Sequence, residues 1–173
     1  MLHGAGDRTP GVVVDRYGDY AVLRLDGAVA KLPWLIDVVW ESLRDAGVVG
    51  LLGKERRGDA GVRELRGERA PDPIRVRERG MILEASLWRG QKTGLFLDHR
   101  ESRARVRELA DQRRVLNLYG YTGGFSIAAG MGNAREVVTV DVAKPAIAMA
   151  TRRGSSRGSV ASAASSDQLV TVR

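Results

Sequence analysis

Residues 11–25, GVVVDRYGDYAVLRL, set a β-branched run (Val12, Val13, Val14) and a second apolar run (Tyr20, Val22, Leu23) on either side of Tyr17-Gly18-Asp19. That is the pattern of two strands around a tight turn. The spacing then lengthens to a helical period from Pro33 to Ala46, with Trp34, Ile36, Val38, Val39, Leu43 and Ala46 as the expected buried side. Pro33 suits a first helical turn and Gly47 a C-terminal stop. Residues 48–53, VVGLLG, read as a further strand. From Lys54 to Arg69 the chain is polar and glycine-rich, which fits either a basic loop or a pair of exposed strands. Residues 74–79 and 81–87 read as a hairpin hinged at Arg79-Gly80. Residues 1–89 are therefore expected to form a small α+β domain.

The period changes after Trp88. Residues 98–110, DHRESRARVRELA, are expected to be helical, with Asp98 as cap and Glu101 completing a capping box. Val106 and Leu109 should face inward, and Arg103, Arg105 and Arg107 should form a solvated face. Residues 114–118, RVLNL, predict a strand; a glycine-rich turn follows, then a helix over SIAAGM stopped at Gly130-Met-Gly132, then a strand over 137–141, VVTVD. A further helix is expected to begin at Ala143 and run to about residue 150. Strand, glycine turn, helix, strand and helix form the opening of a doubly wound α/β domain. Residues 151–173 contain six serines and no aromatic residue, and predict no regular structure. Two parallel strands cannot close a core, so the domain is expected to be incomplete, with an apolar edge and face open to self-association.

Charge adds a partner to this picture. Lys and Arg number 28 against 21 acidic residues, giving +7, and 24 of the 28 are arginine. Such a balance favours a polyanion, and arginine, which forks onto phosphate and stacks on bases, suits RNA. The absence of cysteine excludes disulfides, thiolate zinc sites and a cysteine nucleophile within this chain. His3 and His99 are the only imidazoles, which leaves no basis for a multi-histidine metal site. No run approaches the ~20 apolar residues of a membrane span and no leader opens the chain, so a cytoplasmic setting is expected.

The chemistry-bearing segment is Asn117-Leu-Tyr-Gly120-Tyr-Thr-Gly123-Gly124-Phe125-Ser126. Glycines there let backbone approach a ligand, and the helix that follows offers free N–H groups. Asp141 ends the next strand, 24 residues after Asn117, where a carboxylate can accept both ribose hydroxyls of an adenosine cofactor. The turn reads G-x-x-G-G instead of the dinucleotide pattern G-x-G-x-x-G. That spacing favours S-adenosylmethionine, which has no pyrophosphate to seat, over a nicotinamide dinucleotide.

Three blocks, HGAGDRTPGVVVDRYGDY near the start, GQKTGLFLDHRESR at 90–103 and NLYGYTGGFS at 117–126, occur in the same order in a known family. Together they resemble the bacterial large-subunit ribosomal RNA methyltransferases that act on carbon-5 of cytosine. The resemblance spans about residues 3–150. It implies an α+β central domain (1–89), then the start of an α/β Rossmann-like, class I methyltransferase domain (90–150), incomplete, and an atypical tail (151–173). It also implies S-adenosylmethionine as cofactor and ribosomal RNA as partner.

On that resemblance Asn117, Tyr119, Gly120, Gly123, Gly124 and Phe125 line the methionine and adenosine pocket, and Asp141 holds the ribose. Arg100 pairs with the cofactor's carboxylate, while Gln91, Lys92, Thr93 and Asp98 lie over the cofactor. The family's catalytic cysteine and its Asp-Pro-Pro motif are expected downstream of the matched region, and its PUA-type RNA-binding domain upstream. No catalytic residue is therefore assigned within the chain, which is expected to be a catalytically incompetent fragment. The alternative is a non-catalytic RNA-binding module that uses the basic stretch 54–79 and the arginine helix 98–110.

Overall fold

The computed structural model describes residues 2–54, 61–89, 93 and 95–142, and the backbone of 161–164 and 169–172. The helix expected from Ala143, and Gln91 and Lys92, lie outside the described residues. By contact the chain forms two units, Met1–Val76 with Ala85–Thr93, and Arg77–Glu84 with Gly94–Arg173.

The first unit is built on a five-stranded sheet of β1 (Leu2–His3), β2 (Val12–Tyr17), β3 (Tyr20–Leu25), β4 (Gly50–Gly53) and β5 (Arg63–Gly67), in that order. The first three strands run antiparallel in sequence. β4 joins β3 in parallel, so the intervening chain must cross over, and it does so through α1 (Trp34–Asp45). The core lies between this sheet and α1: Val12, Val14, Ala21, Leu23, Val39, Val48 and Leu51 are buried together, with Leu35, Ile36, Trp40 and Leu43 packed on them.

That seam corrects the expected buried side of α1. Trp34 and Val38 are 57% and 52% exposed, and Ala46 is exposed as well. At 100° per residue the pairs 35/36 and 39/40 and then residue 43 lie on one stripe, and Trp34 and Val38 fall on its flank. The helix stop is as expected. The Gly47 and Val48 amides donate to the Arg44 and Leu43 carbonyls at 2.9 and 3.0 Å, a Schellman closure. In the polar stretch 54–69, β5 forms one largely exposed strand against β4, with a bulge between Leu51 and Leu52. Residues 55–60 lie outside the described residues. Tyr17, the last residue of β2, is buried; burial pushes its hydroxyl pKa up to about 12, and the bond from Thr93 acts in the opposite direction.

The expected hairpin is β6 (Ile74–Glu78) and β7 (Met81–Ala85). Arg79 and Gly80 take φ of 46° and 81°, the two left-handed positions of a type I′ turn, of which glycine fills the second without strain. Its tip, Arg77–Glu84, counts with the second unit.

In the second unit a 3₁₀ turn, Leu97–His99, leads into α2 (Arg100–Leu109). Next come β8 (Arg114–Leu118), α3 (Gly124–Met131) and β9 (Glu136–Val140). β8 and β9 pair in parallel, Arg114 opposite Glu136 through Leu118 opposite Val140, so β8-α3-β9 is a true βαβ unit. Ala110, Ala129 and Val137 form its buried core, with Val106, Val115 and Ala134 against them. Val106 faces inward as expected, but Leu109 is 58% exposed and Arg103 only 2%. Positions 103, 106 and 110 share one helical face, and 109 lies well off it. The capping box does not form either: His99 holds the N-cap position without a side-chain cap, and Glu101 bonds Arg79 instead.

The tail differs from expectation. β10 (Ala161–Ala164) and β11 (Leu169–Val172) extend the sheet in the order β10-β11-β9-β8, with β11 antiparallel to β9. The run Leu169-Val170-Thr171-Val172, β-branched in its last three residues, is a strand signal that the serine-rich composition around it obscured.

Candidate cofactor site

The site is assembled where β8 ends. The Gly120 amide continues the parallel ladder by donating to the Val140 carbonyl at 3.0 Å, and the Gly123 amide then closes a turn onto the Gly120 carbonyl at 2.9 Å. Two tyrosines in this turn, Tyr119 and Tyr121, sit at φ of 54° and 48°. Non-glycine residues in this region are uncommon and cluster at functional loops. Gly123, at φ 77°, occupies the N-cap of α3 and brings no side chain to cap it. The amides of the first helical turn therefore have no partner from that residue.

Beneath the turn lies a polar cluster that the sequence reading did not assign. Asn117 Nδ2 donates to Ser126 Oγ at 2.8 Å, and Ser126 Oγ lies 2.6 Å from Thr139 Oγ1. One residue comes from β8, one from α3 and one from β9, so the three tie both strands and the helix together under the glycines. Gly120 rests on this cluster: a Cβ there would lie 2.4 Å from Thr139 Cγ2 and 2.8 Å from Asn117 Nδ2. Only glycine fits, which explains its place independently of any ligand. A lone threonine among valines in β9, and a serine two residues into α3, were the available signals.

Asp141 follows β9 directly and is 8% exposed. Its Oδ2 accepts the Tyr121 amide at 2.7 Å, which aims the carboxylate at the turn. The aromatic residues of the 3₁₀ segment also gather here. Phe96 stands edge-on to Tyr121 and to His99, with centroids 5.5 and 5.7 Å apart, and His99 stands edge-on to Phe125 at 5.7 Å. Phe96 and His99 are thus in contact with Tyr121 and Phe125 of the glycine turn and α3 through a chain of four rings. Asp98 and Arg100 are exposed at the start of α2. Tyr119 is 83% exposed at the mouth of the turn. Thr93 counts with the first unit, where it is buried and its hydroxyl donates to Tyr17 at 2.6 Å.

Arg103 is the residue most misjudged from sequence. Its guanidinium forks onto Glu78, Nε to Oε1 at 2.7 Å and Nη2 to Oε2 at 2.6 Å, and Nη1 donates to the Phe96 carbonyl at 2.8 Å. Its Cδ also lies 3.4 Å from where a Cβ on Gly124 would stand. Far from being a solvated arginine, it holds Phe96 and backs the start of α3. Among the described residues no group of three or more His, Asp or Glu could hold a metal ion, and no helix is long and apolar enough to cross a membrane.

A glycine turn between parallel strands, with a buried acid at the end of the second strand, defines the nucleoside-binding half of a Rossmann-like domain. The residues fit an adenosine cofactor: the buried acid is aimed at the turn, and Gly123 brings no side chain to the amides that open α3. Residues 39–160 match the family model for S-adenosylmethionine-dependent methyltransferases, and the chain belongs to that family. It is 39% identical to a ribosomal RNA large subunit methyltransferase of Deinococcus radiodurans, over 88% of this chain and 39% of that protein. It is 34% identical to ribosomal RNA large subunit methyltransferase I of Cronobacter sakazakii, over 87% of this chain and 39% of that protein. The chain thus spans about two fifths of the length of these relatives. Among solved structures it is similar to a protein of Streptococcus mutans described as a SAM-dependent methyltransferase. The TM-score is 0.79 at 30% identity, over 88% of this chain and 40% of that one. A tRNA m1G37 methyltransferase of M. jannaschii shares the fold, with a TM-score of 0.66 at 19% identity, over 83% of this chain and 44% of that one.

Proposed function

We propose that the chain carries the S-adenosylmethionine-binding part of a ribosomal RNA methyltransferase of the cytosine carbon-5 type. The observation that carries this reading is Asp141, buried at the end of β9 with its carboxylate fixed toward the glycine turn by the Tyr121 amide. The names of the relatives support ribosomal RNA as the substrate. Asp141 would hold the ribose hydroxyls. Asn117, Tyr119, Gly120, Gly123, Gly124 and Phe125 would line the pocket for the methionine and adenosine parts. Arg100 would fork onto the carboxylate, with Gln91, Lys92 and Asp98 over the bound molecule.

When bound, the cofactor supplies a methyl group on a sulfonium centre. The residues here would orient it. Addition to a cytosine ring requires a thiolate nucleophile, and the 173 residues contain no cysteine. On this reading the chain by itself binds cofactor and RNA without turnover, in a cytoplasmic setting. Self-association belongs to the same proposal, because one face of β8 and β9 presents Leu116 and Leu118 to solvent, 62% and 57% exposed.

The test is calorimetric titration of the folded chain with S-adenosylhomocysteine. Binding that is lost in Asp141→Ala supports the reading. A folded chain that binds none, or an Asp141→Ala variant that binds equally well, overturns it.

A further inference from the structure

The first unit holds a separate pocket of about 520 Å³, lined by Tyr20, Arg69, Ala70, Pro71, Asp72, Trp88 and Arg89. That volume falls in the range of small-ligand sites. Its two aromatic walls are held by backbone. The Trp88 indole N–H donates to the Ala70 carbonyl at 2.8 Å. Tyr20 lies opposite Gly50 in the β3–β4 register, with its ring across the glycine where a Cβ would come within 2.8 Å. The Arg69 guanidinium carbon stands 4.4 Å from the centroid of the Trp88 ring, and its Nη1 pairs with Glu64. Two flat surfaces, one a cationic stack, are therefore in place without a ligand. At the rim, Arg89 is 88% exposed and only loosely paired with Asp72, at 3.5 Å.

Each part answers to one piece of a nucleotide. Unpaired bases stack on aromatic rings and on arginine planes, and this stacking tolerates any base. Arg89, extended into solvent, suits a phosphate. Asp72 repels phosphate but accepts from an exocyclic amino group, which cytosine, adenine and guanine carry and uracil lacks.

We infer that this pocket takes one unpaired, amino-bearing nucleotide of a single-stranded RNA segment, which makes the first unit a contact for the RNA substrate. The inference rests on the proposed RNA methyltransferase reading and names where that RNA is gripped.

Fluorescence anisotropy of the 173-residue chain with labelled ten-nucleotide RNAs tests it. Oligo-C should bind more tightly than oligo-U, and both more tightly than a duplex of equal length. Arg69→Gln, at an exposed side chain that should leave the fold intact, and Tyr20→Leu should each weaken oligo-C about tenfold. Asp72→Asn should narrow the gap between oligo-C and oligo-U. Circular dichroism checks that each variant is folded, and Arg69→Gln decides the matter if Tyr20→Leu is not. Equal binding by folded Arg69→Gln, or tighter binding of duplex, overturns the inference. So does competition by free cytidine monophosphate at the same concentration as oligo-C, which would point to a free nucleotide as the ligand. S-adenosylhomocysteine titration of the same variants keeps the two readings apart: cofactor binding without RNA binding sinks only this inference, and RNA binding without cofactor binding sinks only the methyltransferase reading.

Discussion

Arg103 shows how far one side chain can depart from the reading its neighbours invite. It stands in RESRARVREL, a segment that looks like a solvated basic helix, and nothing local marks it as different from Arg105 or Arg107. What distinguishes it is a partner 25 residues away, Glu78, that sequence spacing cannot reveal. Both members are buried, 2% and 8% exposed. Removing one partner strands a charge in a low-dielectric site, whereas removing both does not. Arg103→Met is expected to cost about 3–5 kcal/mol in urea denaturation, and Arg103→Met combined with Glu78→Leu to recover most of that loss. If the double variant is no more stable than the single one, the pair is not the reason for the burial. Asp141 and the glycines were legible from residue type alone, because a strand-ending acid and a bare turn are chemical requirements. Ser126 and Thr139 were not, since their bonds cross between elements.

Among the elements, those with a clean period were placed within a residue or two: β2, β3, β8, β9 and α3 coincide closely with their expected spans. The helix seams were less legible, because a face is chosen by what packs against it, and Trp34, Val38 and Leu109 are apolar residues left outside. The stop of α3 shows the same limit. Gly130 and Gly132 suggested the end of the helix, and the helix does end at Met131. The closure itself is made by Asn133, at φ 63°, with the Asn133 and Ala134 amides donating to the Gly130 and Ala129 carbonyls. Gly132 has another task. A Cβ there would lie 2.0 Å from the Arg107 carbonyl oxygen, so α2 and α3 meet backbone to backbone. Gly132→Ala should therefore cost about 1–3 kcal/mol, the range for overpacking, measured as a lower midpoint in thermal unfolding. Gly130→Ala, with nothing near its Cβ, should be neutral or slightly stabilising.

For the molecule as a whole, the sequence conveyed the mixed α/β fold that the parallel strands and the glycine turn build. It did not convey the two short strands near the C-terminus, whose β-branched run is surrounded by serine and alanine. Leu116 and Leu118 share a face with Val138 and Val140, their register partners, and Val142 beyond them is 74% exposed. Apolar surface of this kind is usually buried against something. Sedimentation velocity is expected to show concentration-dependent association of the chain, reduced in Leu116→Lys and Leu118→Lys. A monomer at all concentrations would remove self-association from the proposal. The contact at Gly132 also bears on motion. Packed helices commonly adjust by sliding on a layer of intervening side chains. Between the end of α3 and Arg107 that layer is missing, so the two helices cannot shear past one another there. A displacement that a ligand imposes on α3 is then expected to carry α2, and Arg100 at its start, along with it.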